Sequence, residues 1–192
     1  MLEEEYEKRR VLPRQLRKPE VGEAPFSFTV RDAARADLPH ILEIYNHYVA
    51  NSTVTFDEDR KSLRSLRAQF DHLSKLGLPY RVAMSPGGRV LGYAYAAPWR
   101  QKAAYRHTAE STIYLGPAAT GKGLGRALLL DLIERSQAVG IRELIAVIAD
   151  QGAEGSIALH EALGYVEIGR LGRVGFKFDR WLGTILFQKS LR

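Results

Sequence analysis

Three alternating glycines carry the most chemical information in this 192-residue sequence. Gly121, Gly123 and Gly125 stand between a β-rich segment and an apolar segment with helical spacing. At such a junction, glycines let backbone N–H groups face outward, and the helix N-terminus adds partial positive charge. The run therefore predicts a cradle for a phosphate or pyrophosphate, with Lys122 and Arg126 as supporting cations. A glycine-rich turn that only tightens a strand–helix connection is the alternative.

Two familiar phosphate-binding motifs fit this run poorly. Residues 116–122 match the GxxxxGK start of a P-loop, but Gly123 stands where that loop needs a hydroxyl to hold Mg²⁺. The chain that remains after this loop is also short for a nucleotide-hydrolysing sheet. A dinucleotide-binding fingerprint needs GxGxxG, whereas these glycines are spaced GxGxG. The spacing therefore argues against both motifs.

Composition excludes several classes of site. The chain has no cysteine, so a disulfide framework, a thiolate zinc site, an iron–sulfur cluster and a cysteine nucleophile are impossible. Its histidines show no metal-ligand spacing, and no metal is expected. No apolar run is long enough for a membrane span, and the polar, acidic start does not resemble a signal peptide. A cytoplasmic protein without a membrane partner is the expectation.

The charge of the chain favours an anionic partner. The net charge is +6, and residues 1–25 contribute nothing to it because six acids there balance six bases. The surplus on residues 26–192 suits nucleic acid, a membrane surface or a phosphorylated cofactor, among which composition does not choose. A basic nucleic-acid-binding module is therefore an alternative, although no basic helix, zinc finger or RNA-binding aromatic signature is recognisable.

Periodicity and turn signals predict one mixed α/β domain over residues 26–192, preceded by a flexible tail over residues 1–25. Asp37 and Ser62 are predicted helix N-caps, and glycines close the helices. The expected order is βααβββαβαββ, with antiparallel strands first and a β-α-β-α-β unit later. The predicted strands cover residues 26–30, 80–84, 90–96, 111–115, 144–149, 165–168 and 184–188, and the later helices cover residues 124–139 and 156–163.

The glycine run and its flanks resemble the GNAT superfamily of acetyltransferases. A strand, a turn close to the pattern Q/R-x-x-G-x-G/A and a helix look like the acetyl-CoA-binding motif of that superfamily. Other segments, in one order from Phe26 to Leu191, are similar to its phosphinothricin N-acetyltransferases and to the related enzymes that act on methionine sulfoximine and sulfone. These segments are Ile44–Val49, Thr53–Phe56, Gly92–Tyr95, Ala104–Tyr114, Leu159–Tyr165 and Gly175–Lys177.

The resemblance implies a GNAT-like fold, in which a central mixed β-sheet is flanked by about four helices. It implies an acetyl-CoA-dependent N-acetyltransferase, a small homodimer that moves acetyl to the α-amine of a glutamate-like amino acid. An acetyltransferase of the same superfamily that acts on a protein N-terminus, a lysine or another amine is the alternative. Cations at Arg100 and Lys102 argue against a polyamine acceptor.

The resemblance also assigns the cofactor end of the site. The strand at Ser111–Leu115 is expected to pair its backbone with the pantetheine arm, and the Leu115 N–H to polarise the thioester carbonyl. Thr120 replaces the usual Gln or Arg and Ala153 replaces an Asn, so we expect modestly weaker cofactor binding. The implied cofactor-binding residues are Ile113, Tyr114, Leu115, Gly121, Lys122, Gly123, Leu124, Gly125 and Arg126.

Two residues match positions that carry proton transfer in the superfamily. Near pH 7 an α-amine is mostly protonated, so a base helps it to attack the thioester. Glu110, at the start of the strand before the glycine run, fits the position of that base; a surface carboxylate is the alternative. His160 stands where many GNAT enzymes have a tyrosine that reprotonates the leaving thiolate, and a histidine can donate a proton at neutral pH. A helix histidine satisfied by Glu161 or a carbonyl is the alternative.

The part of the site that binds the acceptor is predicted from cations that lie close to aromatic residues in the sequence. Such a combination suits an amino acid with anionic groups. A solvated basic loop and a core aromatic are the alternatives. The superfamily pattern often has Arg at the position of Lys102, which leaves specificity for a phosphinate or a second carboxylate open. It usually has an acid at the position of Gly183, which leaves one contact near the site or at an interface open. The implied acceptor residues are Phe56, Tyr95, Arg100, Lys102 and Tyr105.

Overall fold

The computed structural model describes residues 26–192, and the predicted tail over residues 1–25 lies outside them. The order of elements along the described chain is the predicted one. In chain order they are β1 (Thr29–Asp32), α1 (Leu38–Asn51), α2 (Leu63–Lys75), β2 (Tyr80–Met84), β3 (Val90–Pro98), β4 (Thr108–Leu115), α3 (Leu124–Ala138), β5 (Glu143–Ala149), α4 (Glu154–Ala162), β6 (Val166–Lys177) and β7 (Arg180–Ser190). The seven strands of this region form one sheet in the order β1-β2-β3-β4-β5-β7-β6.

The two helices after β1 begin differently. Ser62 caps α2 as predicted, because its Oγ accepts the N–H of Ser65 at 3.1 Å. Asp37 is the N-cap residue of α1, as predicted, but its side chain does not cap that helix: the carboxylate accepts the N–H of Ala34 at 2.7 Å and forms a two-point ion pair with Arg31. The carboxylate therefore fastens the turn before α1, and no side chain of the described residues caps that helix.

Alternation along the central strands divides the core into two layers. In β2 and β3, Val82 and Tyr93 pack with α1 and α2, while their neighbours Ala83 and Ala94 pack with α3. Small alanines let α3 approach the sheet closely, and each buried leucine of α3 contributes roughly 1.5–3 kcal/mol. The leucines that fill this layer are each 0% exposed: Leu124, Leu128, Leu129 and Leu132.

Strands β4 and β5 run parallel and pair only at their beginnings, with α3 as the connection between them. Their register starts at Thr108↔Glu143 and ends at Glu110↔Ile145, although β4 continues to Leu115. Beyond that point, the facing backbone groups of the two strands are not paired with each other, so a ligand can use those that no side chain occupies. This fork in the sheet is the feature on which the site is built.

The last two strands are much longer than predicted. They pair from Val166 to Lys177 along β6, with an irregularity between Leu171 and Gly175. Glycines and charged residues interrupt the apolar alternation here, and pairing between neighbouring strands extends them beyond what local preference predicts. The hairpin leaves a row of exposed apolar side chains, which we call the apolar row: Val166, Ile168, Leu171, Val174, Phe176, Phe178 and Trp181.

Candidate active site

The fork between β4 and β5 opens into a cavity of about 640 Å³. That volume lies within the range of small-molecule and cofactor sites, roughly 300–1,000 Å³. The cavity is lined by the edges of β4 and β5, the turn before α3 and the beginning of α4. Elements that are far apart in the chain therefore meet at one site.

The glycine run forms the end of the cavity nearest α3. Gly121 and Gly123 adopt left-handed φ angles of +71° and +78°, and a Cβ at either position would meet no atom within 4 Å. Gly123 is the N-cap of α3, and no side chain of residues 26–192 caps that helix. An open cradle of backbone N–H groups at a helix N-terminus fits a phosphate or pyrophosphate.

Gly125 has a different role from its two neighbours. A Cβ there would lie 3.2 Å from the Leu115 side chain and 3.3 Å from that of Leu159. The missing side chain therefore lets α3 pack closely against β4 and α4. This close packing holds the cradle beside the fork.

The other side chains of the run divide between the cavity and its surroundings. Arg126 and Thr120 line the cavity, and the Thr120 hydroxyl donates to a carbonyl of the preceding turn at 3.1 Å. The Lys122 ammonium lies 4.8 Å from the centre of the Phe26 ring, outside the cavity lining, and Leu124 is fully buried in the core. Of the predicted cofactor residues, Lys122 and Leu124 therefore offer the cavity no side chain, and Leu124 can contribute only its backbone.

The edge of β4 carries the predicted binding strand. The Gly116 N–H donates to Leu91 O at 2.7 Å, toward β3, so alternation turns the backbone of Leu115 and Ile113 toward the fork. The Leu115 carbonyl is already occupied, because Tyr48 Oη donates to it at 2.7 Å. At this position the N–H is the group that a ligand can use. Tyr48 packs against the core on the apolar face of α1, so its place in the sequence gives no sign of this contact.

Glu110 lies at the apex of the fork, in the last residue pair before β4 and β5 separate. Its side chain is half-buried and borders the cavity. Burial raises the pKa of Glu110, and the positive charge of Arg100 partly offsets that rise. A carboxylate with a raised pKa is a stronger proton acceptor than a free one, which is the property that the predicted base needs.

His160 is buried on the α4 side of the cavity, with 2% of its surface exposed. Its Nδ1 lies 2.8 Å from the carbonyl oxygen of Ser156, and a carbonyl only accepts, so we assign the proton to Nδ1. Burial lowers the pKa of His160, which keeps the ring neutral near pH 7. Nε2 is then an acceptor, and it has no hydrogen-bond partner among the described residues. This state differs from the protonated ring that the predicted acid role requires.

The predicted acceptor residues lie around the cavity and do not line it. Arg100 is close enough to Glu110 to affect its pKa, and its guanidinium lies 4.9 Å from the Trp99 ring centre. Lys102 and Tyr105 are exposed, at the short turn that precedes β4. The structure therefore brings one of the three predicted acceptor residues in this loop into the electrostatic reach of the predicted base.

Tyr95 and Phe56 join neighbouring elements beside the site. Tyr95 stacks on Tyr80 with 4.9 Å between ring centres. The Phe56 ring lies against Gly175, where a Cβ would come within 2.5 Å of it. Both aromatic residues are positioned by the packing of the elements that surround the fork.

Gly183 stands where the superfamily pattern has an acid, and its surroundings explain this departure. Its N–H donates to Asp150 Oδ1 at 2.9 Å, and a Cβ there would come within 2.5 Å of the same carboxylate and of Leu171 O. An acidic side chain has no room at this position. Asp150, which follows β5, already places a carboxylate there.

Neither a metal-binding group nor a membrane-spanning helix is found in residues 26–192. No group of three or more His, Asp or Glu side chains in that range could hold a metal ion. No helix in the same range combines the length and the apolar character that crossing a membrane requires.

The sequence matches known acetyltransferases. Residues 30–186 match the model of the acetyltransferase (GNAT) domain. The chain is 45% identical to a phosphinothricin N-acetyltransferase of Alcaligenes faecalis, over 85% of this chain and 82% of that protein. It is 42% identical to an L-methionine sulfoximine/L-methionine sulfone acetyltransferase of Pseudomonas paraeruginosa, over 86% of this chain and 95% of that protein.

Solved structures share the fold and confirm the predicted mixed sheet with its helices. A phosphinothricin acetyltransferase from Sinorhizobium meliloti in complex with acetyl-CoA superposes with a TM-score of 0.82 at 45% identity, covering 85% of this chain and 88% of that one. An acetyltransferase from Salmonella typhimurium with acetyl-CoA superposes with a TM-score of 0.82 at 36% identity, covering 86% of this chain and 94% of that one. The family model, the relatives and the shared fold show that this chain belongs to the GNAT family of acetyltransferases.

Proposed function

We propose that this enzyme moves the acetyl group of acetyl-CoA to the α-amine of a small amino acid analogue of the phosphinothricin or methionine sulfoximine kind. The observation that carries the proposal is the fork between β4 and β5, which joins a backbone anion cradle to the Glu110 carboxylate. Relatives named for those two substrates are 45% and 42% identical to this chain.

The cofactor end supports binding of acetyl-CoA mainly through backbone groups. The cradle at Gly121 and Gly123 suits the pyrophosphate, and Arg126 adds a positive charge at the cavity wall. The free edge of β4 around Ile113 suits an extended pantetheine arm, which would add to the sheet like a strand. Ala153, also at the cavity wall, offers no side-chain hydrogen bond, so affinity rests on the backbone.

We assign Glu110 and Leu115 to the two charge movements of the reaction. Acetyl-CoA supplies an activated thioester, and the acceptor amine must lose a proton before it attacks. Glu110 takes this proton, since its raised pKa favours acceptance. The Leu115 N–H faces the fork and stabilises the negative charge that develops on the thioester oxygen. The new C–N bond replaces the C–S bond, and the released thiolate takes up a proton.

For His160 we propose a hydrogen-bond-accepting role in place of the acid role predicted from the sequence. Its Nε2 is buried at the cavity and carries no proton when Nδ1 donates to the Ser156 carbonyl. The neutral ring can deliver a proton to the thiolate only after Nε2 has received one. This geometry is therefore compatible with a His160 that carries the amine proton to the thiolate. It is not compatible with a His160 that is already protonated when the acceptor binds.

The proposed anchor for the anionic group of the acceptor is Arg100. Its charge already acts on Glu110, so an anion bound there would lie next to the reacting amine. Lys102 and Tyr105 lie on the surface beside it and would guide the approach of the substrate. Phe56 and Tyr95 are proposed as walls behind the acceptor.

We also propose a homodimer that covers the apolar row of the β6–β7 hairpin. Contiguous exposed apolar side chains mark contact surfaces. Strand β6 is in addition an edge strand of the sheet, with one row of backbone groups open to pairing. A cytoplasmic location, and a reaction that needs neither membrane nor nucleic acid, are kept as predictions from the sequence.

Release of free thiol from acetyl-CoA, measured over a panel of amines, tests the proposed acceptor. Phosphinothricin, methionine sulfoximine and methionine sulfone should be acetylated faster than spermidine or free lysine. A peptide with an N-terminal alanine belongs in the panel, since the chain is 39% identical to a solved ribosomal-protein-alanine N-acetyltransferase from Brucella melitensis. A clear preference for that peptide would replace the amino-acid proposal with a protein N-terminus.

A further inference from the structure

The segment Ser52–Asp57 follows α1 and borders the active site, and we call it the strap. Val54 lines the cavity between β4 and β5. The Thr55 hydroxyl lies 3.2 Å from Tyr45 Oη and close to Tyr114 on β4. The strap therefore lies between α1 and the proposed cofactor-binding strand.

Lys177, the last residue of β6, fastens the strap from the opposite side. Only 2% of its surface is exposed, and its Nζ donates to Ser52 O at 2.9 Å and to Thr55 O at 2.8 Å. Burial lowers the pKa of Lys177, and the negative charge of Asp57 acts against that shift. A buried ammonium is costly unless it is paired, and here its partners are backbone carbonyls of the strap. Its burial keeps it out of the reach of a substrate, so its contribution is one of position.

Two further contacts join the strap to the elements around the cavity. The Phe56 ring packs on Gly175 of β6 so closely that a Cβ there would come within 2.5 Å of it. On the other flank, Thr53 Oγ1 donates to Gln151 O at 3.1 Å, in the loop before α4. The strap is therefore held by β6 on one flank and by the loop before α4 on the other.

We propose that Lys177 is a positioning residue for the acceptor amino acid. By holding Ser52 and Thr55, it keeps Val54 and Phe56 in place beside the fork. The inference rests on the proposed function, because it takes the acceptor to bind between Glu110 and the strap.

Lys177→Met tests the inference, because it keeps the apolar stem of the side chain and removes both hydrogen bonds. We expect KM for the acceptor to rise roughly tenfold or more, since small misplacements of binding groups cost large factors. The kcat at saturating acceptor and the Kd of acetyl-CoA should change by less than about twofold. Lys75→Met, at an exposed position of α2, controls for the loss of a lysine and should keep the wild-type KM.

Gly175→Ala moves the same strap without touching the ammonium. The added Cβ displaces the Phe56 ring, so KM for the acceptor should rise here as well. Gly169→Ala in the same strand is its control, because a Cβ there meets nothing within 4 Å. In the variant that carries both Lys177→Met and Gly175→Ala, the rise in KM should be smaller than the product of the two single rises, since both substitutions act through the strap. If Lys177→Met does not fold, Gly175→Ala and its control carry the test.

Three results would overturn the inference. An unchanged acceptor KM in folded Lys177→Met, with an active wild type, removes the positioning role and leaves the proposed function standing. An equal loss of acetyl-CoA binding and acceptor binding shows a general structural role instead. A wild type that acetylates no amino acid analogue removes the proposed function and this inference with it.

Discussion

The two ends of the cavity are built in different ways. At the cofactor end, the groups that face the cavity are backbone N–H groups, placed by left-handed residues at Gly121 and Gly123 and by the start of α3. At the acceptor end the groups are side chains brought together from separate elements: Glu110 on β4 and Val54 of the strap line the cavity, and Arg100, on the loop before β4, lies close enough to act on the pKa of Glu110. A backbone cradle is disturbed mainly by added bulk or charge, whereas a side-chain pocket responds to the removal of a single group.

The largest expected effect on activity comes from Glu110, which lies at the apex of the fork where the two ends of the cavity meet. Glu110→Gln keeps the size of the side chain and removes proton acceptance, so kcat near neutral pH should fall by about 10²–10⁴. The deficit should shrink as the pH rises, because the free amine then becomes abundant without help. A pH–rate profile of wild type and variant measures this, and parallel profiles would reject Glu110 as the base.

The same variant also separates the two ends of the cavity. Because Glu110 is assigned to the amine, calorimetry should find acetyl-CoA binding within a factor of a few of the wild-type value. A large loss of acetyl-CoA affinity would show that the apex belongs to the cofactor end.

A somewhat smaller effect is expected from charge placed in the cradle. Gly123→Glu puts a carboxylate where the pyrophosphate should lie, and acetyl-CoA binding should weaken by at least about tenfold, roughly 1.4 kcal/mol. Gly88→Glu is a matched control, since Gly88 has a similar φ of +76° and similar open space in the turn between β2 and β3. Both variants carry the same backbone strain, so equal affinities for acetyl-CoA would contradict the cradle.

Comparing two cations at the acceptor end sharpens the contrast further. Arg100→Ala should raise KM for an anionic amino acid several-fold, because a charge-assisted hydrogen bond is worth about 1.5–3 kcal/mol when desolvated and less at an exposed site. Lys102→Ala, on the exposed turn two positions along the chain, should change KM much less. Steady-state kinetics with phosphinothricin and with an uncharged amine checks both, and an equal loss with the uncharged amine would exclude anion recognition.

The smallest expected effect concerns stability and the neutral ring of His160. Burial holds the pKa of His160 below its usual value of 6.5 in the folded state, so the unfolded chain binds this proton more readily. The contribution to stability is therefore complete above the unfolded pKa and is lost as the pH falls through 6.5 toward the folded pKa. Urea unfolding above and below that pH should show a larger loss for wild type than for His160→Gln. Equal losses would mean that the ring is not held neutral.

The cofactor end was readable from the sequence because its geometry is local. Left-handed backbone at Gly121 and Gly123 needs only glycines between a strand and a helix, and both flanking patterns are strong. Local signals failed at the Asp37 side chain, whose carboxylate is taken by Arg31 and by the N–H of Ala34 and so does not cap α1. They also failed for the length of the β6–β7 hairpin, which depends on pairing.

Tyr48 and Lys177 could not be found from pattern alone. Tyr48 falls on the apolar stripe of α1, and only the packing of that helix on the sheet brings its hydroxyl to Leu115 O. Lys177 lies in a segment whose other residues are mostly exposed, and it becomes buried only where β6 meets the strap. A polar atom at the end of a long side chain can reach a neighbouring element. Its hydrogen-bond partner is then far away in the sequence and cannot be predicted from the local pattern.

By itself, the sequence determined the order of elements, the left-handed glycine turn before α3 and the membership in the GNAT family, because each of these can be recognised from short contiguous segments of the chain. Only the tertiary structure decided which candidates reach the cavity: it buried Leu124, placed Lys122 outside the lining and left His160 neutral. The physical reason is that burial, pKa values and long-range hydrogen bonds exist only once distant elements have packed together.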